Sequence, residues 1–185
     1  MTAFAIPTLE AERFVLRAYH AKDHPRVADY FTDPDSRFTS GPQDPVEAWQ
    51  SMCAHAGAWV LRGFGMWVIA DKGDDRYLGI AGGSYPFDWP EKEIGWSLHP
   101  DARGRGFATE AVKMVRQWLY RHCGWTTAVS YVDPKNASSI RVAKRVGAVR
   151  EAEITLRGKL SLVFRHPAPG NVAETETTRM SGAGA

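Results

Sequence analysis

The stretch of the chain best suited to chemistry is a glycine-rich turn, Arg103-Gly104-Arg105-Gly106-Phe107-Ala108, which follows a strand-like segment and opens a helix-like one. The first N–H groups of a helix have no partner within it and lie at the positive end of its dipole, so they can hold a phosphate group. Gly104 and Gly106 allow the main chain to approach a ligand closely. Arg103 and Arg105 add positive charge. The turn therefore predicts an anion-binding site.

Glycine-rich turns between a strand and a helix serve several ligands. A Walker phosphate loop requires Gly-Lys-Ser/Thr, and a dinucleotide fingerprint requires Gly-x-Gly-x-x-Gly opening a βαβ unit; residues 103–109 contain neither. A third interpretation is structural, in which the glycines supply positive φ angles and the two arginines are merely solvated. The residues of the turn leave that interpretation open.

Composition limits the size and class of the protein. With 185 residues, 44% of them hydrophobic, we expect one well-packed domain and a tail. The 23 basic and 21 acidic residues nearly balance, so the charge does not indicate a nucleic-acid partner. The two cysteines, Cys53 and Cys123, are predicted to be small buried residues, and no Cys or His cluster predicts a metal site.

The two ends of the chain carry further information. The N-terminus lacks a basic stretch followed by an apolar run, and no segment reaches the roughly 20 apolar residues that span a bilayer. We therefore expect a soluble, cytoplasmic protein. Residues 167–185 are rich in Pro, Gly, Ala, Thr and Glu, so apolar burial there cannot offset the entropy of ordering. The prediction is a domain over residues 1–167 and a flexible tail over 168–185.

The elements that position the turn follow from hydrophobic period and capping residues. A helix begins at Asp44, with that residue as N-cap, Pro45 at the first position and Glu47 placed to close a capping box. One face of it carries Trp49, Met52, Cys53 and Ala56. The other predicted elements are a strand at 13–19, a helix at 22–31, strands at 65–70, 77–85 and 93–99, a helix from 107, a strand at 127–132, a helix from 136, and strands at 149–156 and 160–165.

The helix that follows the turn has a clear apolar face, formed by Ala108, Ala111, Val112, Val115 and Leu119. Gly124 is placed to end this helix, and Gly147 to end the helix that opens at Asn136. The three adjacent strands before the turn predict an antiparallel meander. The order β-α-α-β-β-β-α-β-α-β-β indicates a mixed α/β domain of the α+β class.

Arg103-x-x-Gly106-x-Ala108, between a strand and an amphipathic helix, resembles the acetyl-CoA motif Gln/Arg-x-x-Gly-x-Gly/Ala of the GNAT acetyltransferase superfamily. Residues 136–148 are similar to the family's second helix, Asn-x-x-Ser followed by a Gly-aromatic close, but Ala148 stands where the aromatic is usual. The segments at 9–17 and 164–167 resemble the ribosomal-protein alanine N-acetyltransferase branch, so the likeness spans residues 9–167.

The resemblance implies a fold and a reaction. The fold is a central mixed, mostly antiparallel, twisted sheet of about seven strands and about four helices, with a splayed strand pair that admits acetyl-CoA. The reaction is direct attack of a primary amine on the thioester of acetyl-CoA in a ternary complex, without a metal. Deprotonating an α-amine of pKa about 7.7–8.0 near neutral pH costs far less than deprotonating a lysine of pKa about 10.4. The expected acceptor is therefore a protein N-terminus or an amino-acid-like small molecule.

The resemblance also implies roles for individual residues. Glu93 is the candidate base, against an alternative as a surface carboxylate paired with Lys92. Ser139 is the candidate partner of the thiolate, against a serine bonded to backbone, and Asn136 a pantetheine contact, a helix N-cap, or both. The backbone N–H of Leu98 is the candidate donor to the thioester carbonyl. The predicted cofactor-binding residues are Trp96, Ser97, Leu98, Arg103, Gly104, Arg105, Gly106, Phe107, Ala108, Thr109 and Asn136.

Two tryptophans and two other classes of function complete the sequence-based expectations. Trp89 and Trp96 flank the strand that carries Glu93, which makes them candidates for the acceptor pocket as well as for the core. One alternative function is an acyl-CoA-binding sensor without turnover. Another is an RNA-binding module, which would use the charges of Arg103, Arg105, Lys113 and Arg116. We expect no direct binding of nucleic acid, and a homodimer is possible.

Overall fold

The computed structural model describes residues 5–170 of the chain. Within this range eight strands form one sheet, flanked by four α-helices. The strands are β1 Leu9–Glu10, β2 Phe14–Arg17, β3 Met66–Asp71, β4 Tyr77–Ser84, β5 Glu93–Leu98, β6 Val129–Val132, β7 Val149–Leu156 and β8 Lys159–Arg165. The helices are α1 His24–Thr32, α2 Pro45–Arg62, α3 Phe107–His122 and α4 Ala137–Arg145.

The strand order in the sheet is β1-β2-β3-β4-β5-β6-β8-β7, and every neighbouring pair is antiparallel except β5 and β6. The predicted mixed, mostly antiparallel sheet with four helices is therefore confirmed. The strand beyond the predicted seven is β1, which pairs Leu9 with Leu16 and Glu10 with Val15. A two-residue strand is too short to produce a period in the sequence. The predicted tail at 168–185 lies outside the described residues except for its first three.

The start of α2 follows the capping rules on which its prediction was based. The Asp44 carboxylate accepts hydrogen bonds from the N–H groups of Val46 and Glu47 at 2.8 and 2.9 Å. The Glu47 carboxylate accepts in return from the N–H of Asp44 at 2.9 Å, which completes the capping box. Gly63, with φ of +73°, ends the helix.

The apolar face predicted for α2 is partly wrong. The residues of this helix that are buried are Ala48, Met52 and Trp59, whereas Trp49 and Cys53 are exposed. Cys123 is half-buried, so the expectation of two buried cysteines is also wrong. The helix has apolar residues on both faces, including exposed Val60. A period of 3.6 residues cannot distinguish the core side of such a helix from its solvent side.

Helix α3 packs its predicted face into the main core. Ala111, Val112, Val115 and Leu119 are fully buried against β4 and β5. Gly124 follows the helix with φ of +62°. This packing holds the beginning of α3, and with it the glycine-rich turn, at the end of β5.

Strands β5 and β6 run parallel but make only one residue pair within the described chain, Glu93 with Val129. The N–H of Val129 also donates to the carbonyl of Lys92 at 3.0 Å. Beyond this point the two strands separate, which is the splayed pair that the sequence resemblance implied. A sheet that opens in its middle exposes unpaired main-chain groups to whatever enters the gap.

A side-chain link crosses the gap close to the point of separation. The Ser130 hydroxyl on β6 donates to the Ile94 carbonyl on β5 at 2.5 Å. His166 Nε2 lies 2.9 Å from the same hydroxyl oxygen. Since the hydroxyl proton goes to Ile94, the histidine must donate through Nε2. Burial lowers the pKa of His166 to about 3, so the ring is neutral at physiological pH.

We expect Ser130→Ala to lower the free energy of unfolding by about 1–3 kcal/mol, because it leaves the buried Ile94 carbonyl and the His166 N–H without a partner. Urea unfolding monitored by circular dichroism measures the change. Ser161→Ala is the matched control, since Ser161 is also buried in a strand but its hydroxyl makes no hydrogen bond within residues 5–170. Equal losses for the two variants would contradict the role of the link.

Candidate active site

The glycine-rich turn has the geometry of an anion site. Gly106 is the N-cap of α3 with φ of +86°, and Gly104 has φ of +74°. A Cβ atom would meet nothing within 4 Å at Gly104 and only Arg13 Nη2, at 3.8 Å, at Gly106. Within residues 5–170, no amide from Gly104 to Thr109 donates a hydrogen bond to another protein group. The turn therefore presents a run of free N–H groups to open space.

The two arginines of the turn do different things. Arg103 pairs with Asp33 at 3.0 Å and Asp35 at 3.2 Å, and donates to the Leu98 carbonyl at 3.2 Å. Its charge is thus partly neutralised, and its side chain ties the segment after α1 to the turn. Arg105 is exposed, with its guanidinium 4.9 Å from the centre of the Phe107 ring. The interpretation of both arginines as merely solvated is wrong for Arg103.

Phe107 contributes to the site through its main chain. Its side chain is 1% exposed and packs edge-to-face on Phe14, with ring centres 5.9 Å apart. Arg13 lies over the same ring and donates to the Arg105 carbonyl at 3.0 Å. The Phe107 side chain therefore anchors the turn in the core, while the N–H groups of the turn remain free.

The structure contains two adjoining cavities near the turn. The smaller, of about 170 Å³, is lined by the turn, by β5 and by the start of α4. Its wall contains most of the predicted cofactor-binding residues, namely Trp96, Ser97, Leu98, Arg103, Gly104, Gly106, Ala108, Thr109 and Asn136. The predicted residues absent from this wall are Arg105 and Phe107. The indole N–H of Trp96 is buried without a partner in the described part of the chain. A buried donor without a partner fits a ligand that offers an acceptor there.

The main chain of β5 also points donors at the gap. The N–H of His99 donates to Leu78 on β4 at 2.9 Å. Because N–H directions alternate along a strand, the N–H of Leu98 points to the other side, where β6 has already separated. This orientation agrees with Leu98 as a donor to a carbonyl placed in the gap.

A larger cavity of about 480 Å³ adjoins the smaller one, and residues on the walls of both are Tyr30, Phe38, Thr39, Trp96, Ser97, Asn136 and Ser139. Trp89 and Glu93 line the larger cavity. The segment before α2 contributes Phe38 to Ser40, and α2 contributes His55. The structure thus forms one continuous cleft, with the free amides at one end and a carboxylate at the other.

The Glu93 carboxylate is held inside the larger cavity. Its Oε2 accepts a hydrogen bond from the indole N–H of Trp89 at 2.6 Å, and its Oε1 one from the N–H of Tyr131 at 3.4 Å. Burial raises the pKa of Glu93 to about 7, and the two hydrogen bonds oppose part of that rise. Lys92 turns away, its Nζ 5.3 Å from the Trp125 ring centre. The alternative of a surface Glu93–Lys92 pair is therefore wrong.

Asn136 and Ser139 lie together at the beginning of α4. Asn136 Oδ1 accepts from the N–H of Ser139 at 3.0 Å and from the Ser138 hydroxyl at 2.7 Å, so the N-cap interpretation is confirmed. Its amide nitrogen donates no hydrogen bond within residues 5–170. The Ser139 hydroxyl makes no bond to the backbone in this range either. Both groups face the junction of the two cavities.

The geometry does not support a basic surface for RNA. Arg116 is 3% exposed and donates to the Val146 carbonyl at 2.7 Å, and Arg103 is paired with two aspartates. Burial lowers the pKa of Arg116. Across residues 5–170, no group of three or more His, Cys, Asp or Glu side chains could hold a metal ion, and none of the helices there is long and apolar enough to cross a bilayer.

Several residues of the cleft gave no signal in the sequence. Tyr131 and Arg157 line the larger cavity, and so does Tyr30. Tyr131 follows the strand period and Arg157 lies in a hairpin turn, so neither is distinguished by its neighbours in sequence. Their place in the site depends on which segments the sheet brings together.

A family model for the acetyltransferase (GNAT) domain matches residues 13–149. The chain therefore belongs to the GNAT acetyltransferase family, and as a member it is an acetyl-CoA-dependent acetyltransferase. The sequence resemblance is thereby confirmed at the level of family.

Individual relatives agree with this assignment. An acetyltransferase from Agrobacterium tumefaciens str. C58 has a similar structure, with a TM-score of 0.78 and 33% identity over 90% of this chain and 98% of that one. The ribosomal-protein-S5-alanine acetyltransferase from Vibrio fischeri shares the fold, with a TM-score of 0.70, 19% identity, and coverage of 89% and 98%. The uncharacterized N-acetyltransferase YnaD from Bacillus subtilis (strain 168) is 30% identical over 59 residues, 32% of this chain and 35% of that protein.

Proposed function

We propose that the protein transfers the acetyl group of acetyl-CoA to the α-amine of a protein N-terminus or of an amino-acid-like small molecule, by direct attack in a ternary complex. One observation supports the proposal most directly. A single cleft joins the free amides of residues 104–109 to a half-buried carboxylate whose pKa is raised to about 7. The first group suits a pyrophosphate and the second suits removal of a proton from an ammonium group.

The cofactor end of the cleft fits acetyl-CoA, which supplies the activated acetyl thioester when bound. The amides from Gly104 to Thr109 bind its pyrophosphate, with the exposed Arg105 adding charge at the rim. The amide nitrogen of Asn136 and the buried N–H of Trp96 are available as donors to the pantetheine arm. The N–H of Leu98 polarises the thioester carbonyl, and the Ser139 hydroxyl donates to the sulfur as the thiolate leaves.

The acceptor end contains the base. Glu93 accepts a proton from the acceptor ammonium, directly or through a water. A base of pKa about 7 is within about one unit of an α-amine, so the transfer costs about 1.4 kcal/mol or less. For a lysine amine of pKa about 10.4 the difference is about 3.4 units, or roughly 4.6 kcal/mol. The match of pKa values therefore favours an α-amine.

A thiol-release assay with a panel of acceptors tests the proposal. The panel contains peptides with a free α-amine and no lysine, the same peptides with a blocked α-amine and one lysine, and free amino acids. We expect coenzyme A release with free α-amines at a rate at least tenfold above the blocked lysine peptides. Release with the lysine peptides alone would contradict the acceptor class. Tight binding of acetyl-CoA without release for any acceptor would favour the sensor function instead.

The remaining expectations from the sequence stay predictions: a cytoplasmic location, no metal requirement, no nucleic-acid partner and a possible homodimer. The first concerns the cell rather than the fold. The last depends on exposed surface such as the outer face of α2, where Val46, Trp49, Val60 and Leu61 are accessible.

A further inference from the structure

The turn between β7 and β8 contacts the loop before β5 at the larger cavity. Arg157 donates through Nε and Nη2 to the two carboxylate oxygens of Asp88, each at 2.7 Å. The same guanidinium lies 4.4 Å from the centre of the Trp89 ring. Arg157 therefore holds both residues of the dipeptide Asp88-Trp89 at once, by a bidentate ion pair and by a cation–π contact.

The backbone at this turn is unfavourable for arginine. Arg157 has φ of +48° and Gly158 has φ of +76°, so both residues of the two-residue hairpin turn are left-handed. Turns of this type favour Asn-Gly, since asparagine tolerates positive φ better than a long side chain does. Arg157 is strained at this position but makes three specific side-chain contacts. These contacts, rather than the needs of the turn, therefore explain why arginine stands here.

Trp89 connects Arg157 to Glu93. Its indole N–H donates to the Glu93 carboxylate at 2.6 Å. The edge-to-face partner of the same ring is Tyr131, with ring centres 6.2 Å apart and planes at 86°. The indole is thus held between Arg157 and Tyr131, and the direction of its N–H is fixed by both.

No ion pair reaches Glu93 within residues 5–170, so its protonation depends mainly on burial and on the Trp89 bond. Burial lowers the pKa of His55 to about 4 and raises that of Tyr131 to about 12, which leaves both neutral near pH 7. The titratable and charged groups that face the same cavity are Tyr30 on α1, His55 on α2, Tyr131 and Asp133 at the end of β6, Arg37 before α2, and Arg157 and Lys159 at the β7–β8 turn.

We propose that Arg157 is a positioning residue, which holds Trp89 through the ion pair and the ring contact so that the indole N–H orients the Glu93 carboxylate toward the acceptor. The inference rests on the proposed role of Glu93 as base. The β7–β8 hairpin is then part of the catalytic apparatus although it touches no reacting atom. Its loss misorients the base without removing it.

A substitution in the β7–β8 turn can distinguish a loss of the positioning role from a loss of stability. Arg157→Asn removes the guanidinium but places at position 157 the residue that this turn type prefers, so thermal stability is expected to stay equal or to rise. Trp89→Phe removes the N–H donor and keeps an aromatic ring. Arg150→Asn is the matched control, an exposed arginine on β7 whose partner is Glu153.

The test is a carbon-13 NMR titration of the Glu93 carboxyl in the protein without cofactor, with its signal assigned by its absence in Glu93→Gln. The native protein is expected to titrate near pH 7. Trp89→Phe should raise the midpoint by at least half a unit, because the lost hydrogen bond favoured the charged form. Arg157→Asn should move it in the same direction, and Arg150→Asn should leave it in place.

The outcomes separate this inference from the proposed function. If Arg157→Asn titrates like the native protein, the positioning role of Arg157 is overturned, whatever the activity of Glu93→Gln. If Arg157→Asn shifts the midpoint but Glu93→Gln keeps full turnover, Arg157 and Trp89 do hold the Glu93 carboxylate, but the assignment of Glu93 as base fails. With the best acceptor of the panel, Arg157→Asn is expected to lower kcat. It should also raise the apparent pKa of the acidic limb of the pH–rate profile. A rise in acceptor KM alone would make Arg157 an acceptor contact instead.

Discussion

Gly106→Trp is expected to abolish acetyl-CoA binding, with a loss of affinity of at least a hundredfold, while the domain stays folded. The φ of Gly106 is +86°, a region that disfavours L side chains by about 1–2 kcal/mol, which the well-packed core can absorb. The indole would project into the open space over the amides from Gly104 to Thr109, where only Arg13 lies near. It would therefore block the pyrophosphate without disturbing the core below.

Isothermal titration calorimetry with acetyl-CoA measures the loss, and circular dichroism verifies the fold. Gly124→Trp is a matched control, because Gly124 also has a positive φ at an end of α3 and open space around it. It lies at the opposite end of the helix from the turn. Unchanged affinity in Gly106→Trp, or an equal loss in Gly124→Trp, would refute the assignment of the anion site.

Glu93→Gln is expected to lower kcat by about 10²–10⁴-fold and to leave acetyl-CoA affinity unchanged. Glutamine has nearly the same shape and can still accept the Trp89 hydrogen bond, losing only the longer bond from the Tyr131 N–H, so the cavity should keep its form. It cannot accept a proton from the acceptor. Steady-state kinetics with the best acceptor of the panel measures the effect, with exposed Glu12→Gln as the control. Full activity would remove Glu93 as the base.

The raised pKa of Glu93 also predicts how this variant behaves with pH. Native kcat/KM should fall as the pH drops through about 7, where Glu93 of the free enzyme becomes protonated. Burial disfavours the carboxylate in the folded state, so the native protein loses stability as the pH rises from about 4.5 to about 7. Glu93→Gln is not subject to that loss. The melting temperature of Glu93→Gln should exceed that of the native protein at pH 8 but not at pH 4.5. The reverse order would show that folding does not disfavour the ionised form of Glu93.

The parts of the site that could be predicted from sequence are those determined by local physics. Glycines at 104 and 106, directly before an amphipathic segment, require a turn with free amides, and the structure contains it. Asp44 and Asn136 cap the helices that they precede for the same reason. Such features depend on residues within one helical turn of each other.

The environment of Glu93 could not be predicted in the same way. Trp89 is four residues from it, but the orientation of the indole depends on Tyr131 and Arg157, which lie 38 and 64 residues beyond Glu93. The raised pKa is likewise a consequence of burial under several segments. The wrong face of α2 shows the same limit, because burial depends on which neighbour covers a surface rather than on the surface itself.

The single residue pair between β5 and β6 divides the sheet into two halves, β1 to β5 and β6 to β8. Elsewhere in a sheet, main-chain bonds run continuously from strand to strand and transmit rigidity across it. Here the two halves are joined mainly by the Lys92–Val129 and Ile94–Ser130 hydrogen bonds, by the Arg157–Asp88 and Arg165–Glu91 ion pairs and by the packing of α3. A molecule lying in the gap would therefore face main-chain groups that have no strand partner. We expect bound substrate to stiffen the connection between the two halves, because it would replace part of the missing hydrogen-bonded ladder.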